Sequence, residues 1–204
     1  MSKLRGRSIA LEGPCLAGKT TLGCGLISEL SGMTVAYVKD YSDHVGGGRF
    51  LPPPVPSSLS EEERTLGTFL LIEADRTKDI RTSVSDLVLI DRSVHTLLAH
   101  SHALELMTGV AYGTLALQVL TESRVPIWPD LVLYLDIPSH VVNNRNKGKF
   151  PLGSIFINSE FNLGLRSYFS NLAEVGQPTI AWLDGTLDPF EVRKLAQIHA
   201  QDLL

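Results

Sequence analysis

Cysteine is almost missing from this chain. Cys15 and Cys24 are the only two in 204 residues and form no C-x-x-C pair, which argues against a disulfide framework or a zinc site and fits a reducing compartment. Long hydrophobic runs are missing too: none approaches the ~18 residues of a membrane span. The apolar run after the basic stretch Met1 to Arg7 is too short for a signal peptide. The expectation is a cytoplasmic protein with no membrane partner. Nor is there an excess of positive charge, since 18 Lys and Arg face 22 Asp and Glu for a net charge of -4. That balance disfavours polymeric nucleic acid as a partner, but not a small anion in a local basic pocket. Internal repeats are absent. What remains is an ordinary globular composition, 44% hydrophobic and 20% charged, in a chain long enough for one domain over residues 1–204.

Against these absences one stretch stands out. Gly13-Pro14-Cys15-Leu16-Ala17-Gly18-Lys19-Thr20 fits the pattern G-x-x-x-x-G-K-[ST] and directly follows the apolar run Ser8 to Glu12. A strand, a glycine loop and a helix in that order present backbone N–H groups and a helix N-terminus to a phosphate chain. Lys19 then reaches the β- and γ-phosphates and the Thr20 hydroxyl ligates Mg2+, with Thr21 beside them in the same nucleotide-binding stretch.

The rest of the chain alternates strands with helices. A helix is expected from Lys19 to about Ser31, then a β-branched strand Thr34–Val38 that delivers Lys39, Asp40 and Tyr41 at its end. The glycine- and proline-rich stretch 46–56 reads as a loop beside the active site. Ser60 and Glu63 form a capping box for a long helix reaching about Ser83. Strands follow at 86–91, 131–136 and 179–183, with a helix over 96–123 that breaks near Gly109 or Gly113. Shorter helices are expected from Ser139 to about Asn146, from about Ser159 to Val175, and after the Asp188-Pro189 start signal. Together they argue a three-layer α/β/α fold around a five-stranded parallel sheet. Asp91, an acid closing an apolar strand, is a candidate second ligand for Mg2+, and Arg92 follows it. His95, His100 and His102 do not make a metal cluster, because positions 100 and 102 lie ~200° apart around a helix.

The segments Glu12 to Thr21, Phe69 to Arg76, Leu89 to Arg92 and Pro129 to Asp136 resemble the corresponding stretches of thymidylate kinases, in the same order. Asp91-Arg92-Ser93 is similar to the Glu-Arg-Ser of deoxynucleoside kinases. The resemblance implies a P-loop kinase: ATP and Mg2+ as cofactors, and a small-molecule phosphoryl acceptor such as a nucleotide or nucleoside. It further implies a homodimer through the long helices. It places Arg76 and Arg92 near the acceptor and the transferring group, and His100 where the family has an acceptor-side tyrosine. The cations of Arg145-Asn146-Lys147-Gly148-Lys149 fall where the family has its lid, which would span about residues 145–157.

The resemblance stops short of thymine recognition. Thymidylate kinases have an acid where Cys15 stands, a thymine-stacking aromatic where Ile72 stands and a base-reading glutamine near Ser101; Lys39-Asp40-Tyr41 replaces their Arg-Glu-Pro. A monophosphate acceptor needs a cation, which Lys39 would supply. A hydroxyl acceptor gains from a carboxylate, which Asp40 would supply as base. Three functions stay open: a nucleoside monophosphate or nucleoside kinase, a kinase of another hydroxyl compound such as an antibiotic precursor, and a nucleotide switch without transfer.

Overall fold

The structure is a computed structural model and describes residues 6–30, 32–81, 84–176 and 178–204. Five strands, β1 (Arg7–Glu12), β2 (Val35–Val38), β3 (Leu87–Asp91), β4 (Leu131–Asp136) and β5 (Thr179–Asp184), form one parallel sheet in the order β2-β3-β1-β4-β5. β1 is central, with Leu11 in register with Asp91 on one side and Leu133 on the other. The chain works outward to one edge, returns, and then crosses to the other side of β1. Parallel α/β sheets bind ligands at the carboxyl ends of the strands flanking such a reversal. Both the glycine loop after Glu12 and Asp91 lie at that edge.

Alternation along the strands sends side chains to two cores. On one face Ile9, Leu11, Leu89 and Leu133 pack against α1 (Lys19–Glu29), α6 (Ser139–Asn146) and α8 (Pro189–Leu203) through Leu26, Val142 and Ala196. On the other, Ala10, Ile90 and Tyr134 meet α4 (Val94–Thr108) and α7 (Ser159–Val175) through Ala99 and Phe169. Outside these lie α3 (Leu59–Thr77) and α5 (Tyr112–Glu122), while α2 (Tyr41–His44) is a single turn after β2. The three-layer α/β/α architecture with a five-stranded parallel sheet is as expected.

Several boundaries differ for local reasons. The α3 N-cap is Ser58, not Ser60: its hydroxyl accepts from the Glu61 N–H at 3.2 Å, while the Glu61 carboxylate folds back to Ser57. The expected break in the long helix falls at Gly109, which caps α4 at φ 72. Asp188 caps α8 as expected, accepting from Phe190 N. The first and third helices end at Glu29 and Thr77, short of the expected ends at about Ser31 and Ser83; those two positions, and residues 1–5 of the N-terminal stretch, lie outside the described residues.

Candidate active site

The loop Gly13 to Thr20 turns through Gly13 (φ 131), Leu16 (φ 67) and Gly18 (φ 103). Gly13 is required twice over, since a Cβ there would also lie 2.5 Å from the Leu135 carbonyl oxygen. Leu16 holds a left-handed conformation without being glycine, the kind of strain that concentrates at functional sites. Lys19, 6% exposed, donates to the carbonyls of Gly13 at 3.0 Å and Pro14 at 2.8 Å. Burial, with the nearby Arg92 charge, pushes its ammonium down to about 8. Phosphate binds the charged form, so the apparent Kd for Mg-ATP should be flat below about pH 8 and rise about tenfold per unit above it. Calorimetric titration at stepped pH checks this; a constant Kd through about pH 10 would contradict it.

Asp91, 1% exposed, ends β3 beside the loop. Its Oδ2 accepts from the Thr20 hydroxyl at 2.7 Å and the Tyr37 hydroxyl at 3.1 Å. Its Oδ1 is buried and, among the described residues, unpartnered. A hydroxyl and a carboxylate side by side with one oxygen free fit Mg2+, which takes one or two protein ligands and completes its shell with phosphate and water.

Asp40 settles the arrangement at the end of β2. The strand stops at Val38, so Asp40 no longer follows strand alternation and instead caps α2, accepting from the Ser42 N–H at 2.8 Å and hydroxyl at 2.7 Å. Its Oδ2 lies 2.7 Å from Nε of Arg92. Burial works against the Asp40 charge, but the Arg92 guanidinium and Ser42 outweigh it and hold the carboxyl below the usual range. Arg92 is itself left-handed (φ 65), and its Nη2 lies 3.3 Å from the Cys15 sulfur. Lys39 is exposed and lines neither of the two cavities at this edge of the sheet.

Two cavities meet here, and Cys15, Asp40, Arg92 and Phe150 line both. The larger, about 660 Å³, is floored by Cys15 to Thr21 and walled by Arg145, Lys147 and Lys149. Arg145 donates to the carbonyls of Leu16, Ala17 and Gly185, bracing the loop, while Lys147 and Lys149 are exposed at its rim. The other, about 390 Å³, is largely apolar, walled by α3, α4, α7 and the glycine- and proline-rich segment through Gly48, Leu51 and Pro52 to Pro54. His100 lines it and bridges Nε2 to the Pro54 carbonyl at 2.6 Å; burial pushes its imidazole down to about 4, so it is a neutral donor.

Arg76 and Ile72 sit elsewhere. Arg76, 7% exposed, pairs with Glu73 at 2.6 Å, stacks 3.7 Å over the Tyr41 ring, and donates to the carbonyls of Lys39, Asp91 and Arg92. It ties the ends of β2 and β3 together and lines neither cavity. Ile72 packs in the cluster around Tyr41 and Leu66, while Phe69, one turn earlier, lines the apolar cavity. Sequence reasoning passed over Glu12. It is 1% exposed and accepts from the Ser93 N–H and hydroxyl at 2.8 Å and from Thr96 at 2.5 Å. That grip fixes the strained Arg92 backbone one residue away. The signal was an acid ending an otherwise apolar strand. His44 pairs with Asp75 at 2.9 Å, and Trp128 and Trp182 pack against apolar clusters.

No protein-family model and no curated protein matches the chain. Solved structures do. A deoxyadenosine kinase from M. mycoides with the products dCMP and a flexible dCDP bound is 15% identical with a TM-score of 0.66, the match covering 96% of this chain and 99% of that one. The chain has the fold of this kinase. The same enzyme with bound dCTP (14% identical, TM-score 0.65, 96% and 99% covered) and with bound dATP (16% identical, TM-score 0.61, 95% and 99% covered) aligns equally fully. The three-layer α/β architecture expected from the sequence is therefore shared in fold with structures solved with nucleotides bound.

Proposed function

We propose that this protein is an ATP-dependent kinase that moves the γ-phosphoryl of Mg-ATP to a hydroxyl of a nucleoside or nucleoside-like acceptor. The observation that carries this reading is Asp40: a carboxylate, not the Lys39 ammonium, faces the junction of the two cavities. A phosphate acceptor would meet a negative charge there, whereas a hydroxyl meets a proton acceptor.

The larger cavity takes the donor, whose β- and γ-phosphates lie against the loop N–H groups and Lys19. The apolar cavity takes the acceptor. Thr20 and Asp91 would hold Mg2+, which neutralises charge on the phosphate oxygens. The acceptor oxygen forms its bond to the γ-phosphorus as the bond to the β-γ bridging oxygen breaks and ADP leaves; the hydroxyl proton passes to Asp40. Arg92 keeps Asp40 ionised at neutral pH and lies against the transferring group, where a fixed cation counts for most. Lys147 and Lys149 serve as lid cations over the same oxygens. The bound nucleotides of the deoxyadenosine kinases of like fold support this reading.

ADP release measured against matched nucleosides and nucleoside 5′-monophosphates tests it. Release with the nucleosides is expected; release with the monophosphates alone would overturn it.

A further inference from the structure

The far wall of the acceptor cavity carries a feature that phosphoryl transfer does not use. Glu62, near the start of α3, is 2% exposed and lines the cavity, and Ser101 of α4 donates to its Oε1 at 2.5 Å. Among the described residues no lysine, arginine or histidine pairs with it, and burial pushes its carboxyl up. A buried carboxylate with one hydroxyl partner is under-satisfied, since it has about four lone-pair sites. Asn162 of α7 lines the same cavity, 8% exposed, with Nδ2 reaching the Phe156 carbonyl at 3.4 Å. Its Oδ1 is buried and, among the described residues, unpartnered.

Glu62 and its partner Ser101 lie away from the transfer end. Arg76, which grips the Asp91 and Arg92 carbonyls, is fourteen residues along α3 from Glu62, roughly 21 Å of helix. Ser101 is eight residues past the α4 N-cap Ser93, roughly 12 Å along the other wall. An acceptor with its hydroxyl at Asp40 therefore brings its opposite end to Glu62, and an extended nucleoside has that reach.

The Glu62 carboxylate and Asn162 Oδ1 offer acceptors at this end, beside the Thr65 hydroxyl in the same cavity lining, so a ligand that satisfies them supplies donors. Between them the walls are apolar, with Phe69, Leu97 and Phe161 facing a cavity of about 390 Å³, which suits a flat ring. Among the common bases, guanine presents two adjacent donors, N1–H and the 2-amino group. Adenine and cytosine set each amino group beside a ring acceptor, and thymine flanks its N3–H with two carbonyls, which a carboxylate repels. We propose that Glu62, held by Ser101 and assisted by Asn162, is a specificity-determining residue that reads the end of the acceptor remote from its hydroxyl, and that this end is a guanine-like edge of adjacent N–H donors.

The inference rests on the nucleoside kinase reading. The test is kcat/KM of the full chain with Mg-ATP for deoxyguanosine, deoxyinosine, deoxyadenosine, deoxycytidine and thymidine, repeated with Glu62→Gln and Ser101→Ala. Deoxyguanosine should lead, with deoxyinosine, which lacks the 2-amino donor, about tenfold lower. Glu62→Gln keeps the shape but replaces one acceptor oxygen by a donor, and should cut the guanine-to-adenine ratio by about 10- to 100-fold. Ser101→Ala should move it the same way by less. Phosphorylation without guanine preference, or a ratio unmoved by Glu62→Gln, overturns this inference and leaves the kinase reading standing. Should Glu62→Gln fail to fold, the deoxyguanosine to deoxyinosine comparison decides alone, equal rates being the contrary result. No phosphorylation of any nucleoside, with Mg-ATP bound, overturns the kinase reading itself.

Discussion

Replacing Asp40 by asparagine should lower kcat by about 10² to 10⁴-fold, the span a positioned general base contributes, with the Kd for Mg-ATP within about twofold of its original value. Asparagine keeps an oxygen to accept from the Ser42 N–H and hydroxyl, so the α2 cap survives and the backbone around the site stays put. What is lost is the charge opposite Arg92 Nε, 2.7 Å away, and the capacity to take a proton. A merely structural ion pair would change thermal stability and leave kcat close to its original value. Steady-state rates with saturating ATP and acceptor, alongside a melting curve, separate the two. A variant with normal kcat would remove Asp40 from the chemistry.

Replacing Lys19 by alanine should lower kcat/KM for Mg-ATP by about 10³-fold. One fixed charge or donor against a developing anion is worth about 10²–10³ in rate, and lost ground-state phosphate binding adds to it. The fold should persist. Among the described residues Lys19 hydrogen-bonds only the Gly13 and Pro14 carbonyls of its own loop, and burial already disfavours its charge, so the alanine variant sheds a desolvation cost as it loses two hydrogen bonds. Circular dichroism spectra should superimpose while turnover collapses. Near-normal turnover would place the donor phosphates elsewhere.

The glycine loop, the strand acid Asp91 and the order of strands and helices could be read from the sequence, because each is a local pattern with its own periodicity or spacing. The choice between Lys39 and Asp40 could not. Strand alternation assigns them to opposite faces only while the strand lasts, and β2 ends at Val38. The signal was present in Asp40-Tyr41-Ser42, an aspartate poised to cap a new turn, but a one-turn helix leaves no periodicity to notice. Arg76 and Ile72 show a different limit. Both lie on the helix expected to face the acceptor, yet its rotation is set by packing, which gives the cavity Phe69 and turns Arg76 to backbone carbonyls. Glu62 was hidden among Glu61, Glu62 and Glu63. Only the fold distinguishes the capping residue, the buried cavity carboxylate and the exposed neighbour.

Departures from the thymidylate kinase pattern gain a physical account in the same way. Cys15, where that family has an acid, sits beside the Arg92 guanidinium, whose carboxylate partner here is Asp40. Asp40 stands where the thymidylate kinase pattern has its glutamate, so the acid at the end of β2 is common to both and what this chain lacks is the acid of the phosphate loop.

The most direct test of that account is the identity of the product. Incubating the protein with Mg-ATP and an equimolar mixture of nucleosides and their 5′-monophosphates, then resolving products by mass spectrometry, reports which acceptor gains a phosphoryl group. The account predicts nucleoside monophosphates formed from nucleosides, with their formation slowed about 10²-fold or more by Asp40→Asn. Diphosphates formed from the monophosphates with the nucleosides untouched, or bound ATP with no phosphorylated product, would contradict it.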